Sequence, residues 1–592
     1  MTGNACGDVI GWASRDPGRA IFAVRSGGAW QPVTAQEFAG RVTSVAAGLI
    51  AAGIRPGERI ALLASTSLEW AVCDFAIWAA GGVTVPVYET SSVPQIGWEL
   101  GDSGAVAAFA GNARLAEAIR LVQAANVEAV WRLDDGGLDA LSRAGQRVDA
   151  AEVAQRRDAV TSATLATIVY TSGTTGRPKG CMISHGNLTA AIRAITAAPG
   201  VQDRILAGDS SSLIFLPLSH ILARVVTLCL VNVGKRIGYL ADPGELPAEL
   251  PAFGPTILLA VPRVFEKVVA AARQQAKAEG HQGLFGAAEA TAIAYSRAAE
   301  RPAVQRAARW RLRLMHAVYG RLVYSRLHAA LGGHLAWAIS GGAPLNEDLA
   351  HFLCGAGIPV LEGWGLTETA GPVTMNPPAL QRIGSVGLPL PGCTVRIAPD
   401  GEVLLRGPMV FQGYWQDPQA TAEAFDGPWL RTGDLGRLDD AGFVYLTGRK
   451  KELIITAGGK NVAPGVLEDR VREHWLIADC VVIGDRRPFI AALVTLDAAA
   501  FARWKERLGK PPQATVSDLH DDPDLVAEVQ QAVDRANTAV SRAEGIKRFR
   551  ILDASFTVGA ELTPLEKVRR SYVLDKYASD VEAVYGPSQA TE

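Results

Sequence analysis

The sequence predicts an α/β fold in which mostly parallel sheets are covered by helices. The first observation is a strand, a helix and a strand in succession at 59–64, 67–80 and 83–88, which is the βαβ unit of parallel sheets. The second is the return of unbroken apolar runs, separated by helical patterns, at 164–170, 212–215, 256–261, 335–339 and 358–361. Apolar runs without alternation are typical of strands that are buried on both faces.

Two changes of pattern along the chain predict its domain organisation. Between 262 and 330 the sequence is rich in Ala, Arg and Gln, with aromatic residues at helical spacing, which indicates a helical insertion. After about residue 400, the segments 401–406 and 442–447 alternate as half-buried antiparallel strands do. We therefore expect a large N-terminal domain at 1–448 with a small β-barrel-like part, followed by a small α+β domain at 449–592.

Composition excludes several classes of protein. Of the 592 residues, 48% are hydrophobic and 20% are charged, which is typical of an ordered globular protein. The net charge of −2 gives no general attraction to nucleic acid or anionic lipid, so any basic patch must be local. The N-terminus lacks the features of a signal peptide, and the most apolar segment, 221–233, is too short to cross a bilayer. The seven cysteines have no metal-ligand spacing, and we expect reduced thiols in a cytoplasmic protein, with surface contact to membranes left open.

A loop at 170–180 carries the strongest local signal. The sequence Tyr-Thr-Ser-Gly-Thr-Thr-Gly-Arg-Pro-Lys-Gly follows a short apolar run and places hydroxyls, glycines and two cations together. Glycines let backbone N–H groups approach a polyphosphate closely, so the loop is a candidate phosphate cradle. It is not a Walker A loop, because Lys179 lies between Pro178 and Gly180 rather than before a Ser or Thr that opens a helix. A flexible turn is the alternative interpretation.

A second motif, Gly-Trp-Gly-Leu-Thr-Glu-Thr at 363–369, predicts a tight loop just after the strand at 358–361. Ligands of open α/β sheets bind outside the carboxyl ends of such strands. Trp364 could cover a purine, Thr367 could bind a phosphate or carboxylate, and Glu368 is a hard-oxygen ligand of the kind that Mg²⁺ prefers. A surface turn with an incidental glutamate is the alternative.

Four further motifs are weak alone. Gly341, Gly342 and Ala343 follow a predicted strand and could bring backbone close to a flat ring. The run 429–434 places Asp434 after a predicted tight turn, where its carboxylate could accept hydrogen bonds from a ribose diol. The segment 448–461 joins the two predicted domains, and 562–570 brings Lys567 near the end of the chain; a linker and a surface lysine are their alternatives.

The order and spacing of these motifs resemble those of the adenylate-forming superfamily of acyl-CoA synthetases, luciferases and peptide-synthetase adenylation domains. Within it, the chain is most similar to bacterial long-chain fatty-acyl-CoA synthetases, from about Arg59 to Arg570, and the segment Leu-Pro-Leu-Ser-His at 216–220 resembles the acyl-pocket motif. The resemblance implies that ATP and a long-chain fatty acid form an acyl-adenylate with release of pyrophosphate, and that coenzyme A then displaces AMP. Mg²⁺ is the implied cofactor, no nucleic acid is implied as a partner, and a homodimer is left open.

The resemblance also implies a role for each matching residue, and a C-terminal domain that rotates between the two half-reactions. Lys567, Glu368, Thr367 and Lys179 are the implied catalytic residues, with Glu368 and Thr171 holding the metal. His220 and Gly363 would belong to the acyl pocket, Lys451 to the hinge, and Gly458 and Gly459 to the path of coenzyme A. The implied ATP-binding residues are Thr171, Ser172, Gly173, Thr174, Thr175, Gly176, Lys179, Gly341, Gly342, Ala343, Trp364, Gly365, Thr367, Asp434 and Arg449.

The sequence departs from the pattern of the superfamily at three positions and leaves three other functions open. Glu566 precedes Lys567 where many relatives have Gly, which makes Arg569 a second candidate for the catalytic cation. Trp364 replaces a common Tyr, and Lys451 replaces the Asp found at the hinge in some branches.

The alternative functions are a fatty-acyl-AMP ligase that passes the adenylate to a carrier protein, an aryl- or amino-acid adenylation enzyme, and an inactive nucleotide-binding scaffold.

Overall fold

The chain divides into two compact units that interleave along the sequence. A computed structural model describes residues 4–122, 126–171, 177–300, 306–457, 460–564 and 566–586. The first unit consists of Met1–Arg396, Leu404–Thr432 and Leu438–Tyr445, and the second of Ile397–Val403, Gly433–Arg437 and Leu446–Glu592. The boundary at 448/449 stays a prediction.

Helices and parallel strands alternate through the first unit. Its strands up to residue 389 are β1 (Ala20–Ser26), β2 (Ala29–Thr34), β3 (Arg59–Leu63), β4 (Val83–Val87), β5 (Ala107–Ala110), β6 (Ala129–Arg132), β7 (Leu165–Thr171), β8 (Lys179–Ser184), β9 (Ser211–Ile214), β10 (Arg236–Tyr239), β11 (Ile257–Ala260), β12 (Trp337–Ser340), β13 (Val360–Leu366), β14 (Gly371–Met375) and β15 (Leu388–Pro389). The helices between them are α1 (Gly7–Arg15), α2 (Ala35–Ala51), α3 (Leu68–Ala79), α4 (Val93–Ser103), α5 (Ala113–Leu121), α6 (Gly137–Ala144), α7 (Ala150–Ala159), α8 (His185–Thr196), α9 (Ile221–Asn232), α10 (Leu246–Phe253), α11 (Pro262–Ala278), α12 (Gln282–Glu300), α13 (Arg306–Tyr319), α14 (Ser325–Ala330) and α15 (Glu347–Gly355).

Two large sheets carry this unit. In the described residues, one has six strands in the order β6-β5-β3-β4-β7-β8, and the other has nine in the order β15-β14-β13-β12-β11-β9-β10-β1-β2. The inner strands pair in parallel, and antiparallel pairs occur at the edges, as in β7 with β8 and β13 with β14. The prediction of mostly parallel sheets covered by helices is confirmed, as are the βαβ unit and the helical insertion, which is α11 to α14.

Five short strands form a separate small sheet. They are β16 (Thr394–Ile397), β17 (Glu402–Arg406), β18 (Phe425–Asp426), β19 (Trp429–Leu438) and β20 (Val444–Arg449), and α16 (Pro418–Glu423) precedes β18. The order is β16-β17-β19-β18, with β20 beside β19. The alternating segments predicted after residue 400 are therefore strands.

The C-terminal part is an α+β arrangement, as predicted. Its strands are β21 (Ile454–Ile455), β22 (Asn461–Val462), β23 (Ile477–Ile483), β24 (Ile490–Leu496) and β25 (Ile546–Ile551), and its helices are α17 (Pro464–Arg472), α18 (Ala498–Arg507), α19 (Val516–Leu519), α20 (Pro523–Asn537), α21 (Arg570–Lys576) and α22 (Ala578–Tyr585). β23, β24 and β25 form one sheet, whose apolar side chains, together with those of α17, α18 and α20, make a core.

Two predicted loops are strands instead. The glycine-rich run at 363–366 continues β13 and pairs antiparallel with β14, rather than turning after residue 361. Likewise Asp434 lies inside β19 and not after a tight turn. Both predictions were wrong because a glycine inside a strand was interpreted as the end of that strand.

A buried polar network joins α9 to α3 and to the six-stranded sheet of the first unit. Arg224 of α9 donates from Nε to Oδ2 of Asp74 on α3 at 2.8 Å, and from Nη1 to the hydroxyl of Thr167 on β7 at 2.8 Å. Thr84 of β4 donates to Asp74 at 2.7 Å. The guanidinium also lies over the rings of Trp70 and Trp78. A charge this deeply buried is stable only when paired and hydrogen-bonded, as here.

The cysteines are reduced in this structure, as predicted. All seven cysteines are free thiols; five are buried and two are half-buried. Among the described helices, none combines the length and the apolar character needed to cross a membrane.

Candidate active site

The candidate phosphate cradle is held by a hairpin of two antiparallel strands. Thr171 ends β7 and lies opposite Lys179, which begins β8. The prediction of a loop over the whole of 170–180 is therefore wrong at both ends, because 170–171 and 179–180 pair as strands. The predicted phosphate-binding residues Ser172, Gly173, Thr174, Thr175 and Gly176 lie outside the described residues.

Aromatic side chains fix the end of this hairpin. Trp98 donates its indole N–H to the Pro178 carbonyl at 2.9 Å, and the guanidinium of Arg177 lies 4.6 Å from the Trp98 ring centroid. The Tyr170 hydroxyl donates to Asp102 at 2.6 Å, and burial together with this carboxylate raises the pKa of Tyr170. A cavity of about 260 Å³ lies among Trp98, Asp102 and residues 177–180 and 415–417. The strand that carries Lys179 is thus rigidly placed.

The acid of the second motif is presented by a single turn. After β13, residues Thr367–Thr369 form one turn of 3₁₀ helix. The Thr369 hydroxyl accepts from Leu366 N at 2.9 Å and donates to the Gly371 carbonyl at 2.7 Å, which closes the turn. Gly365 is required by packing, since a Cβ there would lie 2.0 Å from the Gly371 carbonyl oxygen. Glu368, at the middle of this turn, is half-buried.

Tyr414, which belongs to none of the predicted motifs, joins Glu368 to Lys179. Its hydroxyl donates to Glu368 Oε1 at 2.8 Å, and Lys179 Nζ lies 5.2 Å from its ring centroid. Burial and the negative charge of Glu368 raise the pKa of Tyr414, so the phenol stays a donor. Trp415 N donates to the Gly180 carbonyl at 2.7 Å, which holds this segment against β8. We call Lys179, Tyr414 and Glu368 the acid–lysine cluster.

The predicted acyl-pocket residues meet the Gly341 motif. A Cβ on Gly341, which directly follows β12, would lie 3.3 Å from the Leu222 side chain and 3.4 Å from the Gly363 carbonyl oxygen. His220 caps α9, with its Nδ1 accepting from Leu222 N at 3.2 Å. Gly341, at the end of β12, therefore lies between the first turn of α9, which His220 caps, and Gly363 in the middle of β13.

The neighbouring predicted residues lie close to Gly341 and Gly363. Gly342, with φ of 84°, has the left-handed backbone that favours glycine, and Ala343 is half-buried. Glu362 belongs to none of the predicted motifs. Its side chain accepts a hydrogen bond from Leu345 N at 3.1 Å and so holds the segment after Ala343 against β13. Trp364 is only 9% exposed, and the proposal that its indole ring covers a purine stays a prediction.

In the second unit, Asp434 and Arg449 form an ion pair. Arg449 Nε lies 2.9 Å from Asp434 Oδ1, and Asp434 is buried. Beside them, Gly433 N donates to Glu402 Oε1 at 3.0 Å, and Lys450 Nζ is 2.9 Å from Glu402 Oε2. Asp434 and Arg449, both predicted to bind ATP, thus lie together.

Lys567 lies within electrostatic range of that pair. Part of the Lys567 side chain is exposed to solvent, whereas its ammonium group is surrounded by protein atoms. This desolvation lowers the pKa of the ammonium group to about 8. Arg449 lowers this pKa further, whereas Asp434 and Glu452 raise it. The loop is closed by Thr563, whose N–H donates to the Lys567 carbonyl at 2.8 Å and whose hydroxyl accepts from Lys567 N at 3.1 Å.

The backbone conformation at Glu566 accounts for the Gly that many relatives have at this position. Its φ is 55°, in the left-handed region that glycine adopts without strain. The glutamate therefore occupies, at the position where many relatives have Gly, a backbone conformation that favours glycine. Arg569, the second candidate, instead donates to the carbonyl of Ala560 at 2.9 Å.

Lys451, Gly458 and Gly459 are the remaining predicted residues. Lys451 is exposed in a 3₁₀ turn at Lys450–Glu452. Gly458 and Gly459 lie outside the described residues.

The oxygen donors of the first unit fit a magnesium ion that a nucleotide brings with it. Among the described residues, no three His, Cys, Asp or Glu side chains are grouped to hold a metal. Glu368 and Thr171 offer one carboxylate and one hydroxyl, and Mg²⁺ is commonly held by one or two protein oxygens together with phosphates and water.

Comparison with known proteins gives full-length matches. Residues 11–415 match the model of the AMP-binding enzyme family, and 451–589 match the AMP-binding enzyme C-terminal domain. The chain is 47% identical over 580 residues to the long-chain-fatty-acid–CoA ligase FadD15 of Mycobacterium tuberculosis, covering 96% of this chain and 95% of that one.

Two solved structures are similar in fold. One is the O-succinylbenzoate coenzyme A synthetase MenE of Bacillus subtilis in complex with AMP, with a TM-score of 0.68, 21% identity, and coverage of 95% of this chain and 97% of that one. The other is a fatty acyl CoA synthetase of Mycobacterium tuberculosis, with a TM-score of 0.64, 22% identity, and coverage of 98% and 99%.

Proposed function

Because this chain belongs to the family of AMP-binding enzymes, we propose that it is a long-chain-fatty-acid–CoA ligase that forms AMP. ATP and the fatty acid give an acyl-adenylate and pyrophosphate, and the thiol of coenzyme A then displaces AMP to give the acyl-CoA. The observation that carries the proposal is the 47% identity, over nearly the whole of both chains, to ligases of this specificity.

The first half-reaction needs positive charge, and the chain supplies it at two places. The carboxylate of the acid must approach the α-phosphate, and two like charges at contact distance repel by about 4 kcal/mol at intermediate dielectric. Lys179 of the acid–lysine cluster offsets this repulsion from the first unit, and Lys567 does so from the second. A bound Mg²⁺, held by Glu368 and Thr171, would supply further charge neutralisation on the phosphates.

Asp434 and Arg449 bind the nucleotide in this proposal. The carboxylate accepts hydrogen bonds from the ribose hydroxyls, and Arg449 orients that carboxylate, as their 2.9 Å contact supports. The glycine motif at 341–343 and Trp364 contribute backbone and ring surface to the base.

The second half-reaction requires that Lys567 leave and that a thiol reach the acyl carbonyl. We propose that the C-terminal domain, 449–592, turns about Lys451 between the steps, and that Gly458 and Gly459 line the path of the thiol, where a Cβ would crowd it. Support for this comes from the motifs alone.

Chain length of the acid is set by the depth of the acyl pocket. About 120 residues separate His220 from Gly341, and a segment of this length can line an extended acyl pocket. Each buried CH₂ contributes about 0.8 kcal/mol, or roughly fourfold in affinity, so a modest change of depth separates medium from long chains.

The test is AMP release over a series of acids from acetate to long chains, with and without coenzyme A. We expect release with palmitate that depends on coenzyme A, and pyrophosphate exchange with palmitate in its absence. Release of pyrophosphate with accumulation of palmitoyl-adenylate, which coenzyme A does not convert to acyl-CoA and AMP, would instead indicate an acyl-AMP ligase. No exchange with any acid would indicate an inactive scaffold.

A further inference from the structure

An apolar stripe runs along the outside of α13 and the turn after it. Trp310, Leu314, Val318 and Leu322 are four residues apart and are 58%, 56%, 43% and 49% exposed. Residues at this spacing share one face of a helix. Met315, 43% exposed, widens the stripe.

The opposite face of the same helix is already packed, so the stripe is not the contact that holds α13 in place. His316 stacks on Tyr295 with ring centroids 3.9 Å apart, and its Nε2 lies 2.6 Å from the Gly355 carbonyl. In the following turn, Tyr324 donates its hydroxyl to the Ala288 carbonyl at 2.7 Å. The helix therefore has an anchored face toward the protein and an apolar face toward solvent.

Positive charge accompanies the stripe. The segment 301–346 contains seven arginines and no Asp or Glu, although the whole chain carries a net charge of −2. Arg311, Arg313 and Arg321 are exposed, and Arg313 and Arg321 form no ion pair with any of the described residues. The local basic patch that composition left open lies here.

We propose that α13 docks the protein on an anionic lipid surface. Exposed Trp and Leu side chains on a cationic helix that lies flat match the interface between headgroups and acyl chains of a bilayer. The arginines match the negative charge of anionic lipid. A second copy of the chain fits less well, because two arginine-rich faces would meet and repel one another.

The test is sedimentation of the full chain with vesicles, in the absence of substrates, so that its outcome is separate from any enzyme activity. We expect binding at least about tenfold stronger to vesicles of phosphatidylcholine with phosphatidylglycerol than to phosphatidylcholine alone, weakening as salt is raised. Trp310→Gln with Leu314→Gln should reduce binding by about tenfold or more, since two apolar anchors are lost. Arg313→Glu with Arg321→Glu should remove the preference for anionic lipid.

Matched controls separate the stripe from apolar and charged residues in general. Leu121→Gln with Leu380→Gln removes two side chains that are 62% and 65% exposed elsewhere, and should leave binding unchanged. Arg147→Glu with Arg486→Glu makes the same charge change away from α13. Circular dichroism checks that every variant is folded.

Three results would overturn the proposal. The first is equal binding to neutral and anionic vesicles, and the second is equal loss of binding in the stripe variants and their controls. The third is a dimer in sedimentation equilibrium that the Trp310 and Leu314 changes dissociate while vesicle binding is unaffected. In that case the stripe is covered by a second copy.

Discussion

Replacing Tyr414 by Phe isolates the hydrogen bond that joins Tyr414 to Glu368. The change removes only the hydroxyl that donates to Glu368 Oε1 at 2.8 Å. The ring remains, and with it the contact to Lys179 Nζ at 5.2 Å. A loss of activity in Tyr414→Phe is therefore assigned to the orientation of the Glu368 carboxylate.

The size of the effect follows from the bond and its surroundings. A hydrogen bond to a charged group contributes about 1.5–3 kcal/mol. Both residues are half-buried, so water replaces part of the lost bond and the lower figure applies. A value of about 1.4 kcal/mol is a factor of ten in an equilibrium constant, so we expect a loss of about tenfold.

The assay is ATP–pyrophosphate exchange with palmitate over a range of Mg²⁺ concentrations. In Tyr414→Phe, kcat/KM should fall about tenfold and the Mg²⁺ concentration for half-maximal rate should rise, because a freely rotating carboxylate holds the ion less well. Thioester formation from supplied acyl-adenylate should keep the wild-type rate. A fall in activity that only follows a fall in melting temperature would count as a structural effect.

The control is Tyr295→Phe, at a tyrosine of α12 that stacks on His316 and has no hydrogen bond from its hydroxyl among the described residues. It should match the wild type in every measurement. Unchanged exchange and unchanged Mg²⁺ dependence in Tyr414→Phe would refute the reasoning.

Four further changes test other parts of the two units. Lys567→Ala should lower pyrophosphate exchange by about a hundredfold or more and leave thioester formation from supplied acyl-adenylate intact; equal loss in both would contradict its role. Since the pKa of Lys567 is lowered to about 8, its charge is lost as pH rises through that value, so exchange should decline above about pH 8 in a pH–rate profile. Lys567→Arg should move the decline to higher pH, and a profile that is the same in both proteins would exclude titration of this group. Arg224→Met leaves the buried Asp74 unpaired and should cost about 3–5 kcal/mol in denaturant unfolding, with partial recovery in the double variant with Asp74→Asn. Glu566→Val should lower the free energy of unfolding by about 1 kcal/mol, because its left-handed backbone disfavours a β-branched residue, whereas Glu566→Gly should not lower it.

The sequence predicts most of the fold because buried parallel strands leave unbroken apolar runs. The strands β3, β4, β7, β9 and β11 were all found in this way, and their ends were predicted to within two residues. Apolar runs do not predict the full length of β13 and β19, because Gly365 and Gly433 interrupt the apolar pattern there. These segments are strands because of partners elsewhere in the chain, β14 for the first and β17 and β20 for the second. Local propensity carries no information about such partners.

The candidate site was predicted residue by residue but not as a set of contacts. Order along the chain suggested Glu368 and Lys179, yet Tyr414, which contacts both, lies in a segment without a motif of its own. The signal is tertiary: residues 412–415 pair with β8, and Phe411 N donates to the Glu368 carbonyl at 2.8 Å, which together bring the phenol between acid and lysine. A search for aromatic residues flanked by glycine would have returned Tyr414 with many others.

The buried network around Arg224 gives a physical reason for α9 and the hairpin of β7 and β8 to keep a fixed distance. Arg224 lies one turn after His220 on α9, and its hydrogen bond to Thr167 reaches β7 four residues before Thr171. Leaving one partner of such a pair uncompensated is far costlier than the net gain from the pair itself, so its value is in specificity more than in stability. A directed set of charged hydrogen bonds allows one register only, and that register places His220 relative to the strand that carries the cradle.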